Sequence, residues 1–135
     1  MKPEQLHDGP YLRILCDAES RIIGIDWKET SATMSSEEFK ADLMLFATHV
    51  EMKKAPGILV DVSKFRHKMT PEVQKWRVQN ISTRYNAAGV RRFAFLLPQG
   101  AQIPPMMNQS STGENFVTRA FNRMEEAVEW LTQES

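Results

Sequence analysis

The apolar pattern of the chain is organised around two short runs, residues 57–63 and residues 93–97. In the first run Ile58, Leu59 and Val60 follow one another without polar alternation. Such a run is typical of a strand buried on both faces of a sheet, and it is too short for an ordinary helix. Helix-like segments precede the first run and separate it from the second. This rhythm predicts a parallel βαβ unit and an α/β fold.

Residues 11–29 alternate as expected for a β-hairpin. Residues 11–16 and 21–27 are strand-like, and the intervening Asp-Ala-Glu-Ser segment supplies turn residues. Cys16 falls on the apolar face of the first strand, where a thiol behaves as a small hydrophobe. A structural role is therefore favoured for Cys16 over a nucleophilic one.

Two helices are predicted from capping residues and helical spacing. The first begins at Ser35, because Ser35 and Glu38 have capping-box spacing, and it runs to about residue 53. The second begins at Thr70, where Pro71 suits the first turn, and it runs to residue 88. Trp76 lies off its apolar stripe, so Trp76 is predicted to form a wall of a pocket or an interface. The stripe consists of Val78, Ile81, Tyr85 and Ala88.

The part of the chain after the second apolar run is less regular. Residues 98–114 form the longest stretch without a pattern, and such loops are usually functional lids or disordered. Residues 115–121 predict a last strand, and Asn122 and Glu125 predict the start of a final helix. Its inward residues are expected to be Met124, Ala127, Val128 and Leu131.

Composition places the chain among ordinary globular proteins. It has 135 residues, 41% hydrophobic and 25% charged, which predicts one domain over residues 1–135 with a flexible segment at 1–10. Basic and acidic residues number 17 each, so no global field favours nucleic acid. A single cysteine, and no apolar run of signal-peptide or membrane-span length, predict a cytoplasmic protein. No cofactor or metal site is expected, since ligand clusters and phosphate loops are not found in the sequence.

Four features stand out together: Trp27 before the first helix, residues 57–61, residues 89–94 and residues 121–131. In these features the chain resembles the SpoIIAA-like branch of the STAS superfamily, the anti-sigma-factor-antagonist fold. The resemblance implies a mixed sheet of about five strands with an N-terminal hairpin and three to four helices. It also implies a non-enzymatic binding or signalling module. The family's phosphoacceptor serine motif is replaced here by residues 67–72, so Thr70 is interpreted as a helix cap.

The candidate binding surface combines residues 63–71, between the central strand and the Thr70 helix, with Trp76 and the loop of residues 98–114. Asp61 ends the strand, where open α/β sheets place ligands, although an acid that bonds nearby loop amides is the favoured explanation of it. The candidate residues are Asp61, Ser63, Lys64, Arg66, His67, Lys68, Thr70 and Trp76. Basic side chains beside free helix amides suit an anion, and the competing interpretation is a solvated loop.

Two classes of partner follow from this surface. One is a partner protein, as the resemblance implies. The other is a small anionic or lipid-like ligand, because the Met- and Pro-rich loop lies near an aromatic and a basic cluster. The three tryptophans also predict a homodimer that uses the face of the Thr70 helix.

Overall fold

The structure, a computed structural model that describes residues 3–133 apart from the side chains of Pro105 and Met106, contains one six-stranded mixed sheet. The strands are β1 (Glu4–Asp8), β2 (Leu12–Asp17), β3 (Ile22–Trp27), β4 (Gly57–Asp61), β5 (Arg92–Leu96) and β6 (Val117–Phe121). They lie side by side in chain order. The pairs β1–β2 and β2–β3 are antiparallel, and β3 to β6 are parallel. The predicted α/β class, hairpin and parallel core are therefore confirmed.

The helices are α1 (Ser36–Lys53), α2 (Pro71–Arg77), α3 (Thr83–Ala88) and α4 (Met124–Thr132). Short 3₁₀ helices occupy Glu29–Thr33 and Pro105–Asn108. A π-helical turn at Val78–Ser82 joins α2 to α3, so the predicted single helix exists with one wide turn in its middle. Such turns are rare and occur often at functional sites.

The helix boundaries follow from the predicted caps. The Ser35 hydroxyl accepts from the Glu38 amide at 3.1 Å, and the Glu38 carboxylate accepts from the Ser35 amide at 2.9 Å. Thr70 caps α2 by accepting from the Val73 amide at 3.1 Å. Gly89 ends α3 with a φ of 87°, which favours glycine. These local bonds confirm the predicted starts of α1 and α2 and the end of α3.

The two faces of the sheet are covered unequally. On one face α1 and α3 pack over the larger core cluster, which includes Phe46, Ile58 and Tyr85. On the other face α4 covers β4, β5 and β6, with Ala127 and Leu131 buried. The parallel connections β3–β4 and β4–β5 carry helices, whereas residues 97–116 connect β5 to β6 with only the second 3₁₀ helix. That end of the larger core is therefore closed by a loop.

Three local predictions are wrong. The segment 1–10, expected to be flexible, contains β1, an edge strand with a bulge between Gln5 and His7; residues 1 and 2 lie outside the described part. Asn122 does not cap α4, whose N-cap is Arg123 without a side-chain bond. The Asn122 amide instead donates to the carbonyls of Pro98 and Ala101, and the expected inward Met124 is 41% exposed.

Over the described residues, the structure contains no helix that combines the length and the apolar character needed to cross a bilayer.

Candidate apolar binding pocket

A pocket of about 760 Å³ lies between the sheet and the loop of residues 97–116. Its floor comes from β3, β4 and β5, and its walls come from α1, α2, α3 and the loop. Seven aromatic side chains contribute to the lining: Trp27, Phe39, Phe65, Tyr85, Phe93, Phe95 and Phe116. This volume lies within the roughly 300–1,000 Å³ typical of small-molecule sites, which are also mostly apolar. The pocket is therefore a candidate small-molecule site.

The two ends of the pocket differ in exposure. Met69, Thr70 and Pro71 line one end, and all three are exposed, so we call this end the mouth. Tyr85 and Glu114 line the other end, and both are almost fully buried, so we call it the inner end. Helix α2 runs from one end to the other.

The inner end carries a buried ion pair. The Arg77 guanidinium lies 3.7 Å from the Glu114 carboxylate, and their side chains are 18% and 2% exposed. Glu114 also accepts from the Ser82 hydroxyl at 2.5 Å and from the Ser111 amide at 2.6 Å. The π-helical turn supplies Ser82, which is itself buried. Glu114 therefore holds the loop against the α2–α3 helix by bonds that a charged acceptor strengthens.

Tyr85 adds a hydroxyl to the same inner end. Its ring packs edge-on against Phe116, with centroids 6.0 Å apart. Burial raises the pKa of the Tyr85 phenol above its usual value, although Arg77 and Arg84 act in the opposite direction. The phenol consequently stays neutral and can offer a hydrogen bond without carrying charge.

Side-chain bonds fix the loop at several points. Asn86 donates to the Gly113 carbonyl at 2.7 Å and accepts from the Asn115 amide at 2.8 Å. Asn108 accepts from the Ala120 amide at 2.8 Å, and Ser110 accepts from Thr118 at 3.2 Å. These contacts occupy backbone donors of the edge strand β6. The patternless stretch is therefore an ordered wall of the pocket in this structure.

The predicted Asp61 and Ser63 bond to each other. One oxygen of the Asp61 carboxylate accepts from the Ser63 amide at 2.9 Å and from the Ser63 hydroxyl at 2.6 Å. These are the local bonds that the structural interpretation of Asp61 predicts. Of the eight predicted site residues, and within the described side chains, Thr70 alone lines the large pocket.

The predicted basic residues form the rim beyond the mouth. Lys64, Arg66 and Lys68 are exposed, and Arg66 donates to the carbonyls of Ser63 and Phe65, each at 3.3 Å. His67 turns inward instead. Its ring stacks on Phe39 at 5.1 Å between centroids, and its buried Nε2 has no hydrogen-bond partner among the described residues. The structure thus separates His67 from the exposed cations.

Trp76 lies beside the pocket rather than in it. It is half-buried, packs partly against the larger core, and has the Lys40 ammonium 5.4 Å from its ring centroid. The sequence did not indicate Arg77 as a site residue, and it included Glu114 only as the last residue of the candidate loop 98–114. Their pairing depends on the π-helical turn and on a contact across the chain, and neither leaves a local motif.

Outside the pocket, the described residues form a smaller hollow and offer no cluster of metal ligands. A smaller hollow of about 160 Å³ lies partly on the sheet face that α4 leaves open, lined in part by Leu15, Gly24 and Met124. Among the described residues, no group of three or more His, Cys, Asp or Glu side chains is placed to hold a metal ion.

Comparisons with protein-family models, with curated proteins and with solved structures found no significant match to this chain. The resemblance to the SpoIIAA-like branch therefore stays a prediction that rests on the four stretches of sequence.

Proposed function

We propose that the protein is a non-enzymatic binding module that takes a small, largely apolar molecule into the aromatic pocket. The observation that carries this proposal is the volume of about 760 Å³, lined by aromatic core residues together with exposed residues of α2 and the loop. Clefts of this size that are mostly apolar and carry a few polar groups are typical of small-molecule sites. An aromatic pocket of this size is therefore better explained as a site for a ligand than as a packing defect.

The rim suggests an anionic group at the mouth end of the ligand. Phe65 and Met69 line the pocket, while Lys64, Arg66 and Lys68 alternate with them and are exposed. A ligand whose apolar body lies against the first pair can meet the cations without entering the core. A lipid-like amphiphile has this chemistry, and the cytoplasmic location predicted from the sequence fits such a carrier.

Native mass spectrometry of the protein purified from cells tests the proposal. A retained mass beyond that of the chain is expected, and it should be lost when Arg66 and Lys68 are both replaced by Gln. The matched control replaces the exposed Arg91 and Arg123 by Gln and should retain the ligand. A bare mass in every preparation, together with no uptake of added amphiphiles, would refute the proposal.

The competing candidate is capture of a partner protein at the same mouth, as the resemblance implies. It is favoured by Met69, an apolar side chain that is 39% exposed within the basic rim. Loss of rim charges would then mainly slow association with the partner and weaken its salt dependence. The same double substitution separates the two candidates. Loss of a small ligand changes the retained mass, whereas a weakened protein interface changes the association rate and its salt dependence.

A further inference from the structure

The inner end of the pocket has a charge arrangement that limits what can bind there. Arg77, Gln74, Tyr85 and Glu114 all line the pocket. The Arg77 Nε donates to the Gln74 side-chain oxygen at 3.2 Å, and its Nη1 faces Glu114 at the long distance of 3.7 Å. A guanidinium has five N–H donors, so Arg77 retains donors for a further acceptor.

Glu114, unlike Arg77, already has partners for both of its side-chain oxygen atoms. Its two carboxylate oxygens already accept from Ser82 and Ser111, at 2.5 and 2.6 Å, and one of them, Oε2, lies 3.7 Å from the Arg77 Nη1. With its side chain 2% exposed, Glu114 is shielded from water. Its negative charge therefore acts on any neighbouring group through a poorly polarisable medium, where charge interactions are strong.

The spare donors of Arg77 and the buried charge of Glu114 together discriminate between ligand head groups. A carboxylate placed beside Arg77 would share one cation with Glu114 and leave the buried site with net negative charge, which is costly. An uncharged acceptor adds no charge and uses the spare donors. Resting on the proposed function, we propose that the inner end binds an uncharged hydrogen-bond acceptor, such as an amide or hydroxyl oxygen, and that Glu114 excludes carboxylates.

The length of α2 separates the inner end of the pocket from the basic rim. Thr70 at the mouth and Arg77 at the inner end are seven residues apart, or about 10 Å along a helix axis. A ligand of lipid-like length can therefore present a neutral polar end to Arg77 and an anionic end to the basic rim.

A matched pair of probes tests the proposal. Decanamide and decanoate have nearly the same shape and differ in charge, and each is titrated by competition with the neutral fluorophore N-phenyl-1-naphthylamine. The protein carries Arg66→Gln and Lys68→Gln, so that a carboxylate bound at the rim does not mask the inner end. Decanamide is expected to bind about ten-fold or more tightly than decanoate.

Glu114→Gln provides the decisive variant, because it keeps an acceptor for Ser111 and removes the charge. It should tighten decanoate binding by about ten-fold or more and change decanamide binding little. Glu125→Gln, on an exposed residue of α4, removes the same charge on the other face of the sheet and should change neither. Thermal unfolding with and without each probe confirms that every variant is folded.

Replacing both Arg77 and Glu114 by Gln guards against misinterpreting a folding defect, because no buried charge is left unpaired. This variant should bind decanamide about ten-fold more weakly and lose the discrimination between the probes. Equal binding of both probes to the starting protein, or an unchanged ratio in Glu114→Gln, would overturn the inner-end proposal alone. Failure of the fluorophore to bind the wild-type protein, in which Arg66 and Lys68 are intact, would overturn the proposed function as well.

Discussion

Replacing Glu114 by Ala should remove the main attachment of the pocket loop. The substitution leaves the Ser82 hydroxyl and the Ser111 amide without their acceptor and leaves Arg77 without its counterion. Hydrogen bonds to charged groups contribute about 1.5–3 kcal/mol each, and breaking a buried ion pair costs about 3–5 kcal/mol. These contributions overlap, so we expect the free energy of unfolding to fall by about 3–5 kcal/mol.

Urea unfolding followed by circular dichroism measures this loss. Glu114→Gln keeps an acceptor but also leaves Arg77 without its counterion, so it should cost somewhat less than Glu114→Ala, about 2–3 kcal/mol. Glu125→Ala, at an exposed position in the first turn of α4, is the control and should change stability by less than about 0.5 kcal/mol. Hydrogen exchange should show faster exchange of the Ser111 amide in Glu114→Ala. A loss below about 1 kcal/mol with unchanged exchange would refute the role of Glu114 in holding the loop.

Three further outcomes are expected. Ser35→Ala should lower the free energy of unfolding by about 1 kcal/mol in urea titrations, because it removes the capping box of α1. Burial raises the pKa of Asp42 in the folded state. The protonated carboxyl therefore favours folding below the unfolded pKa, and this contribution is lost as pH rises through the folded pKa. Asp42→Asn should therefore raise the melting temperature near pH 7, an advantage that disappears below about pH 4; an equal effect at both pH values would contradict it. Analytical ultracentrifugation should show the predicted homodimer, and a monomer mass at all concentrations would exclude it.

The elements predicted correctly are those whose signals are local. The capping box at Ser35, the Thr70–Pro71 start of α2 and the uninterrupted apolar run of β4 each depend on residues within a few positions. β1 was missed because Glu4–Asp8 is an edge strand of mostly polar residues. Its side chains are little buried, so its sequence does not alternate between apolar and polar residues. Asn122 has a capping residue type, but carbonyls of the loop bind its amide instead.

The site was predicted only in outline. The sequence placed the irregular loop near an aromatic and a basic cluster, and the loop does line a pocket that Thr70 also lines. The polar residues at the inner end were missed because Ser82 and Glu114 are 32 positions apart and meet only through tertiary packing. The π-helical turn that positions Ser82 has no capping or periodic signal from which it can be predicted.

Titration of the neutral fluorophore N-phenyl-1-naphthylamine with a pocket-filling variant tests the central claim most directly. Val62 lines the pocket and is half-buried, so Val62→Trp places a large ring where the ligand should lie. Val117 on β6 is 59% exposed, and Val117→Trp is the matched control. We predict saturable one-to-one binding to the wild type and to Val117→Trp, and its loss in a folded Val62→Trp. Equal binding by all three proteins, or no saturable binding by the wild type, would contradict a ligand-binding pocket.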